Sequence, residues 1–341
     1  MDNSSQFKDN NVPSSDFVKT KKISKKFLVI IISVFLVIGS LICLRMFIDK
    51  TNSQQITIPI AMAADDNYTY PTIVAMTSIL ENAKPTTKYE FYVMVPGNFN
   101  EENKNKILSA KDKYKNATID LINMEDKFKS ANTHGHITTP GYYRLSLSSL
   151  FPNFDKIIWL DGDTITLGDL TGMFNIDMED DYYKGFLDDN INGAESLGVD
   201  DDHYICSGVM LVNLKKLRQD NIEQKFAEFI EENNEKLIQH DQTVINVLCY
   251  KNIGVLPPQY GIFNYYLENI DSAVSYNNNL KPNSRYSLND ITKAYENPVI
   301  VHCVNKPWKD KTVPYFDKWW DYAKKTAFYD EMKSKYTEVF N

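Results

Sequence analysis

Two carboxylates, Asp161 and Asp163, flank Gly162 directly after the apolar run Ile157-Ile158-Trp159-Leu160. The run reads as a buried parallel strand. Ligands of open α/β sheets sit beyond the carboxyl ends of such strands. Carboxylate oxygens there suit a hard divalent cation, and such a cation can bridge to a diphosphate. The same Asp-Gly pair also builds a plain acidic turn, so the reading depends on what else reaches that edge.

Several groups can reach it. Ala63-Ala64-Asp65-Asp66-Asn67-Tyr68 closes an earlier strand. Small residues such as Ala63 let a flat ligand approach the backbone, Asp65 and Asn67 offer hydrogen bonds, and Tyr68 offers a stacking face. The alternative is a polar turn with Asn67 as a helix cap. Arg144 lies on a helix just before the acidic strand, and a guanidinium suits an anionic ligand. Cys206-Ser207-Gly208 puts small residues ahead of the apolar strand at 209–212, as room for a sugar ring or as a structural turn. Asp241 and Gln242 open a helix, where Asp241 can cap it or project into a site. The sequence alone reveals no structural need for the Gln242 amide. His302 ends the last apolar strand, and an imidazole added to two carboxylates makes a ligand set suited to manganese. Lys306 can neutralise a phosphate oxygen as it leaves.

A scaffold must bring these strand ends together. Apolar strands at 56–63, 89–95, 117–122, 157–160, 209–212 and 299–301 alternate with helices at 71–83, 100–114, 141–150, 213–232 and 241–250. That order implies an α/β, doubly wound, largely parallel sheet flanked by helices. Residues 269–293 are polar and Asn-rich and read as a long surface excursion. The globular part is one domain spanning 56–341.

Ahead of that domain, residues 27–48 form an apolar stretch long enough for a transmembrane helix. Lys19, Lys21, Lys22, Lys25 and Lys26 precede it, which keeps residues 1–26 in the cytosol as a polar tail and sends the rest across. Residues 49–55 are then a short stem. The chain carries 37 Lys and Arg against 45 Asp and Glu, a net charge of −8. Beyond the lysine cluster there is no basic stripe, so nucleic acid is not an expected partner. Cys206, Cys249 and Cys303 fit no zinc spacing and no complete disulfide framework.

In order and spacing, Ala-Ala-Asp-Asp-Asn-Tyr at 63–68, Tyr-Arg-Leu at 143–145, Trp-Leu-Asp-Gly-Asp-Thr at 159–164, Ser-Gly-Val-Met-Leu-Val-Asn-Leu at 207–214, Asp-Gln at 241–242, His302 and Lys-Pro-Trp at 306–308 resemble glycosyltransferase family 8. The resemblance implies a glycosyltransferase-A fold, a UDP-hexose donor, manganese (or magnesium in its place), and retention of anomeric configuration. Carried over, it implies that Asp161, Asp163 and His302 bind the metal, and that Asp65, Asn67 and Tyr68 hold uridine beside Ala63. Arg144, Asp161 and Gly162 would contact the ribose or donor sugar, as would Cys206 and Ser207. Asp241 and Gln242 would line the sugar, Gln242 steadying its oxocarbenium-like centre, and Lys306 would meet the diphosphate.

Two departures stand out. Cys206 replaces the family's usual Asn, and only three residues separate His302 from Lys306 where the family usually has five. The competing reading is a catalytically inactive UDP-sugar- or glycan-binding membrane protein of the same fold. The acceptor would be a glycan, glycoprotein or glycolipid. The membrane topology, together with the need for imported nucleotide sugar, leads to the expectation of a type II Golgi membrane protein with a lumenal catalytic domain.

Overall fold

The computed structural model describes residues 33, 34, 36–41, 55–131, 139–190, 194–199 and 203–340. The chain divides into two compact units, Met1–Gln54 and Gln55–Asn341. Of the first, only 33, 34 and 36–41 are described, as exposed helix. The rest of the predicted 27–48 span, the tail and most of the stem lie outside the described residues. Among the described residues no helix is long and apolar enough to cross a membrane, so the expected anchor finds no support there.

The second unit is built on a seven-stranded sheet. Its strands are β1 (Ile56–Ala63), β2 (Thr87–Val95), β3 (Ala117–Asn123), β4 (Lys156–Leu160), β6 (Tyr183–Leu187), β7 (Ile205–Asn213) and β8 (Ile253–Val255). They lie in the order β3-β2-β1-β4-β7-β6-β8. A smaller three-stranded sheet joins β5 (Thr164–Thr166), β10 (Ile300–His302) and β9 (Tyr260–Phe263) in the order β5-β10-β9. Strands β1 and β4 read as near-continuous apolar runs because both faces are covered; Ile58, Ile60, Ile158 and Trp159 are fully buried. Helix α1 (Thr69–Glu81) is buried almost all round, whereas α2 (Glu101–Ser109) buries only Ile107. That contrast matches their sequences, one largely apolar and one charged.

Three departures from the sequence reading bear on the site. First, β7 runs antiparallel to both β4 and β6. Cys206, Ser207 and Gly208 lie within the first residues of β7 (Ile205–Asn213), not ahead of it, and the reversal carries them to the edge where β4 ends. Second, His302 belongs to the small sheet, where it pairs opposite Thr164. Third, residues 269–293 are not a loose excursion. They contain α5 (Ile270–Asn279) and the start of α6 (Leu288–Glu296); helices numbered α3 (Ile222–Asn233) and α4 (His240–Cys249) precede them. Tyr276 Oη donates to the Leu187 carbonyl at 2.7 Å, and the Leu187 N–H donates to Tyr286 Oη at 3.1 Å. Tyrosines pack like large hydrophobes while carrying a polar tip, which is how an Asn-rich stretch can still dock on a buried strand.

The C-terminal residues form α7 (Phe316–Ala323) and α8 (Tyr329–Lys335). Trp319, Trp320 and Met332 bury this segment against the domain.

Candidate active site

The carboxyl ends of β1 and β4, the start of β7, the first turn of α4 and the loop after β10 surround a cavity of about 490 Å³. Ala63, Asp65, Tyr68, Arg144, Asp161, Gly162, Asp163, Cys206, Ser207, Asp241, Gln242, His302 and Lys306 all line it. Of the residues singled out in the sequence, Asn67 and Trp308 face a different cavity, which shares the Tyr68 wall. The cap reading of Asn67 is not what the structure shows. The Asp65 carboxylate accepts from the Asn67 and Tyr68 N–H groups at 2.9 and 3.0 Å, an Asx turn that sets Tyr68 at the cleft.

Asp161, Asp163 and His302 each present one ligand atom, all within 4.8 Å of one another. Asp163 Oδ1 is buried with no hydrogen-bond donor aligned on it, and His302 Nε2 stands 3.1 Å away as an ion-pair partner. A carboxylate oxygen pair with one imidazole fits a divalent cation. Lys306 donates to the other Asp163 oxygen. Burial works against the Asp163 carboxylate, but Lys306 and His302 outweigh it and hold its pKa well below the usual range. For His302 burial disfavours the charged ring, yet Asp163 and then Cys206 push its pKa up to about 10. Asp161 goes the other way: burial raises its pKa against the pull of Arg144.

Cys206 replaces the expected amide, and its role here is local. Its sulfur lies 3.6 Å from His302 Nδ1 and accepts from the Gly208 N–H at 3.4 Å. The thiol thus occupies the imidazole nitrogen that faces away from Asp163, the position from which a metal-bound histidine is normally oriented. Gly208 must be glycine, because a Cβ would strike the His302 ring and come within 3.0 Å of Asp161 Oδ2.

The opposite wall is a hydrogen-bonded lattice. Arg144 is buried; Nη2 donates to Asp161 Oδ1 at 2.9 Å, Nε lies 3.0 Å from Asp241 Oδ2, and Nη1 donates to the Ser207 carbonyl. Its guanidinium sits 4.6 Å from the centre of the Trp159 ring, and the Trp159 indole N–H donates to Asp161 Oδ1 at 2.9 Å. Asp241 does not cap its helix; it accepts from Ser207 Oγ at 2.9 Å. Gln242 does have a structural need for its amide. Its carbonyl accepts from the Ser207 N–H at 2.9 Å, and its NH₂ donates to Asp188 Oδ2 at 3.0 Å. The chain enters this helix through His240 at φ 50°, a left-handed conformation costing an L residue about 1 kcal/mol of the kind found at functional sites.

Sequence reasoning missed Asp188, Gln239 and Tyr265, which also line the cleft. Asp188 follows β6 directly, so the strand-end logic that found Asp161 would have found it had Tyr183-Lys184-Gly185-Phe186-Leu187 been read as a strand. Burial is the main force that pushes the Asp188 carboxyl up to about 6, against hydrogen bonds from Asn190 and Gln242.

The family model for glycosyl transferase family 8 matches residues 59–312. General stress protein A of Bacillus subtilis is 26% identical over 280 residues, covering 79% of this chain and 94% of that protein. A lipopolysaccharide 1,2-glucosyltransferase of Escherichia coli is 24% identical over 265 residues, 74% of each chain. The crystal structure of the galactosyltransferase LgtC in complex with donor and acceptor sugar analogues superposes with a TM-score of 0.66 at 24% identity, covering 79% of this chain and 96% of that one; this establishes a mixed α/β fold of the glycosyltransferase-A kind with a mostly parallel sheet. These relatives overturn the expected Golgi location, which presumed a eukaryotic secretory pathway: Bacillus and Escherichia are bacteria and have no Golgi. With the family match spanning the sheet, the acidic pair, His302 and Lys306, the chain belongs to glycosyltransferase family 8.

Proposed function

We propose that residues 56–341 act as a metal-dependent, retaining hexosyltransferase that moves glucose or galactose from a UDP-sugar to a glycan or glycoconjugate. The observation that carries this reading is the convergence of Asp161, Asp163 and His302 within 4.8 Å beside Lys306 and Tyr68 in one cleft. Manganese, or magnesium in its place, would be held by those three residues and would offset charge on the diphosphate leaving group.

The protein's own groups supply the rest. Lys306 donates to the departing phosphate oxygen, where a fixed cation is worth most in a dry site. Asp65 and Tyr68 orient the nucleoside. Arg144 holds Asp161 on its ligand face and pairs with Asp241 beside the sugar. Gln242, with both ends of its amide already engaged, presents a fixed dipole to the anomeric centre; its orientation costs nothing at the moment of reaction. The acceptor hydroxyl then enters on the face the leaving group vacates. The resemblance of relatives that are named lipopolysaccharide glucosyltransferases favours a cell-surface glycan as acceptor.

The test is turnover of UDP-glucose and UDP-galactose by the full chain with and without manganese. The reading requires metal-dependent transfer or slow hydrolysis with one of them, with the anomeric configuration kept. UDP binding without turnover of either donor would instead favour an inactive sugar-nucleotide-binding relative.

A further inference from the structure

The donor residues expected from sequence divide between two cavities that share a wall. Asp65, Tyr68, Val304 and Lys306 line both. The metal triad, Arg144 and Gln242 face the first; Asn67 and Trp308 face the second, which encloses about 910 Å³. Its outer wall is Lys335, Tyr336, Thr337, Glu338 and Val339. These residues lie beyond 59–312, where the family match ends.

The wall is firmly docked. Glu331, on the helix that leads into it, accepts from Tyr70 Oη at 2.7 Å and pairs with Lys106 at 2.6 Å. Met332 and Val339 are buried. Trp308 stands edge-on to Tyr68 at 6.0 Å between ring centres, and Tyr336 lies 6.5 Å from Trp308. The Tyr336 hydroxyl is buried without a hydrogen-bond partner. Glu338 and Thr337 are exposed, and the Lys335 ammonium lies over the Tyr70 and Tyr336 rings at 5.2 and 5.6 Å.

From this arrangement we infer that the C-terminal segment Lys335–Val339 completes the nucleoside end of the donor site. The inference rests on the UDP-sugar reading and adds to it the wall that grips the uridine. The chemistry of the second cavity is that of a nucleoside: aromatic faces for a base, carboxylates that accept from ribose hydroxyls, and ammonium groups that donate to base carbonyls. Phosphate belongs at the other end, where Lys306 and the metal ligands face the first cavity. A ligand that puts its diphosphate there and its base against Tyr68 extends naturally past Asn67 toward Glu338.

The experiment is calorimetric titration of the full chain, in manganese, with UDP and separately with inorganic pyrophosphate. Wild type is compared with the double variant Lys335→Ala/Glu338→Ala, and thermal melting verifies that both are equally folded. Loss of charge-assisted hydrogen bonds at this wall should weaken UDP roughly tenfold and leave pyrophosphate unchanged. Equal UDP affinity in variant and wild type overturns the inference, as does a parallel loss of both ligands, which would assign the lysine to phosphate. Wild type that binds pyrophosphate but gains nothing from the nucleoside overturns it too, while leaving the metal–diphosphate site standing. A wild-type chain that binds no UDP at all removes the donor reading and this inference with it.

Discussion

The wall of the cleft that carries Asp163 and the wall that carries Gln242 are held together by different interactions. On the first, side chains are held mainly by charge. Lys306 and His302 converge on one buried carboxylate, and a cation entering there competes with both for the same oxygens. On the second, side chains are held by the backbone as well as by each other. Ser207 alone engages Arg144, Asp241 and Gln242 through its carbonyl, hydroxyl and N–H. Groups bonded to a strand cannot rearrange without disturbing the sheet, whereas ion pairs can exchange partners. On the proposed reading, one wall would accept an ion and release a phosphate, and the other would hold a sugar still.

That contrast can be broken most directly at Asp163. Asp163→Asn removes a ligand and the partner of two cations, so transfer should fall on the order of 1000-fold with loss of manganese binding by titration. Retained metal affinity would show that the charge-held wall is not the metal's. On the fixed wall, Arg144→Lys keeps the charge but loses the fork that spans Asp161, Asp241 and Ser207. Leaving buried carboxylates without their partner should cost ~3 kcal/mol, seen as a lower melting temperature even without ligand; an unchanged melt would mean the lattice does not depend on Arg144.

The smallest effect is a dependence on pH at the outer end of the same wall. Burial, helped by the nearby Asp189 and opposed by Asn190, Gln242 and His302, raises the Asp188 pKa to about 6, above the ordinary carboxylate value of about 3.9. The folded protein thus holds more protons than the unfolded chain between these values. The group's stabilising contribution is complete below about pH 4 and is lost as pH rises through 6, by ~3 kcal/mol at most. Asp188→Asn, neutral throughout, should flatten the change in denaturant midpoint between pH 4.5 and 7. Identical pH profiles for the two proteins would refute the assignment.

Legibility in the sequence followed the range of the interactions. Asp65, Tyr68, Asp161 and Asp163 were readable because each follows an apolar strand within a few residues, and the strand-end rule is local. Asp188 was not, because Lys184 and Gly185 interrupt the apolar pattern of its strand although all five residues are buried. Helices α5 and α6 were read as loop because their docking depends on Tyr276 and Tyr286, whose partner is the Leu187 peptide 89 and 99 residues away. The expected membrane anchor and Golgi location rested on the N-terminal segment and on a presumed cell type, neither of which the globular fold encodes.

By itself the sequence determined the alternation of strands and helices, the acidic pair at a strand end and the family, because side-chain periodicity and local motifs survive without a partner. The tertiary structure alone decided that β7 runs backward, which brings Cys206 and Ser207 to the edge of the candidate site. It also set His302 opposite Thr164 in a second sheet and turned the Gln242 amide onto a strand. Each of these depends on register between segments far apart in the chain, and register is set by which pairings bury the most surface and leave the fewest polar groups unsatisfied.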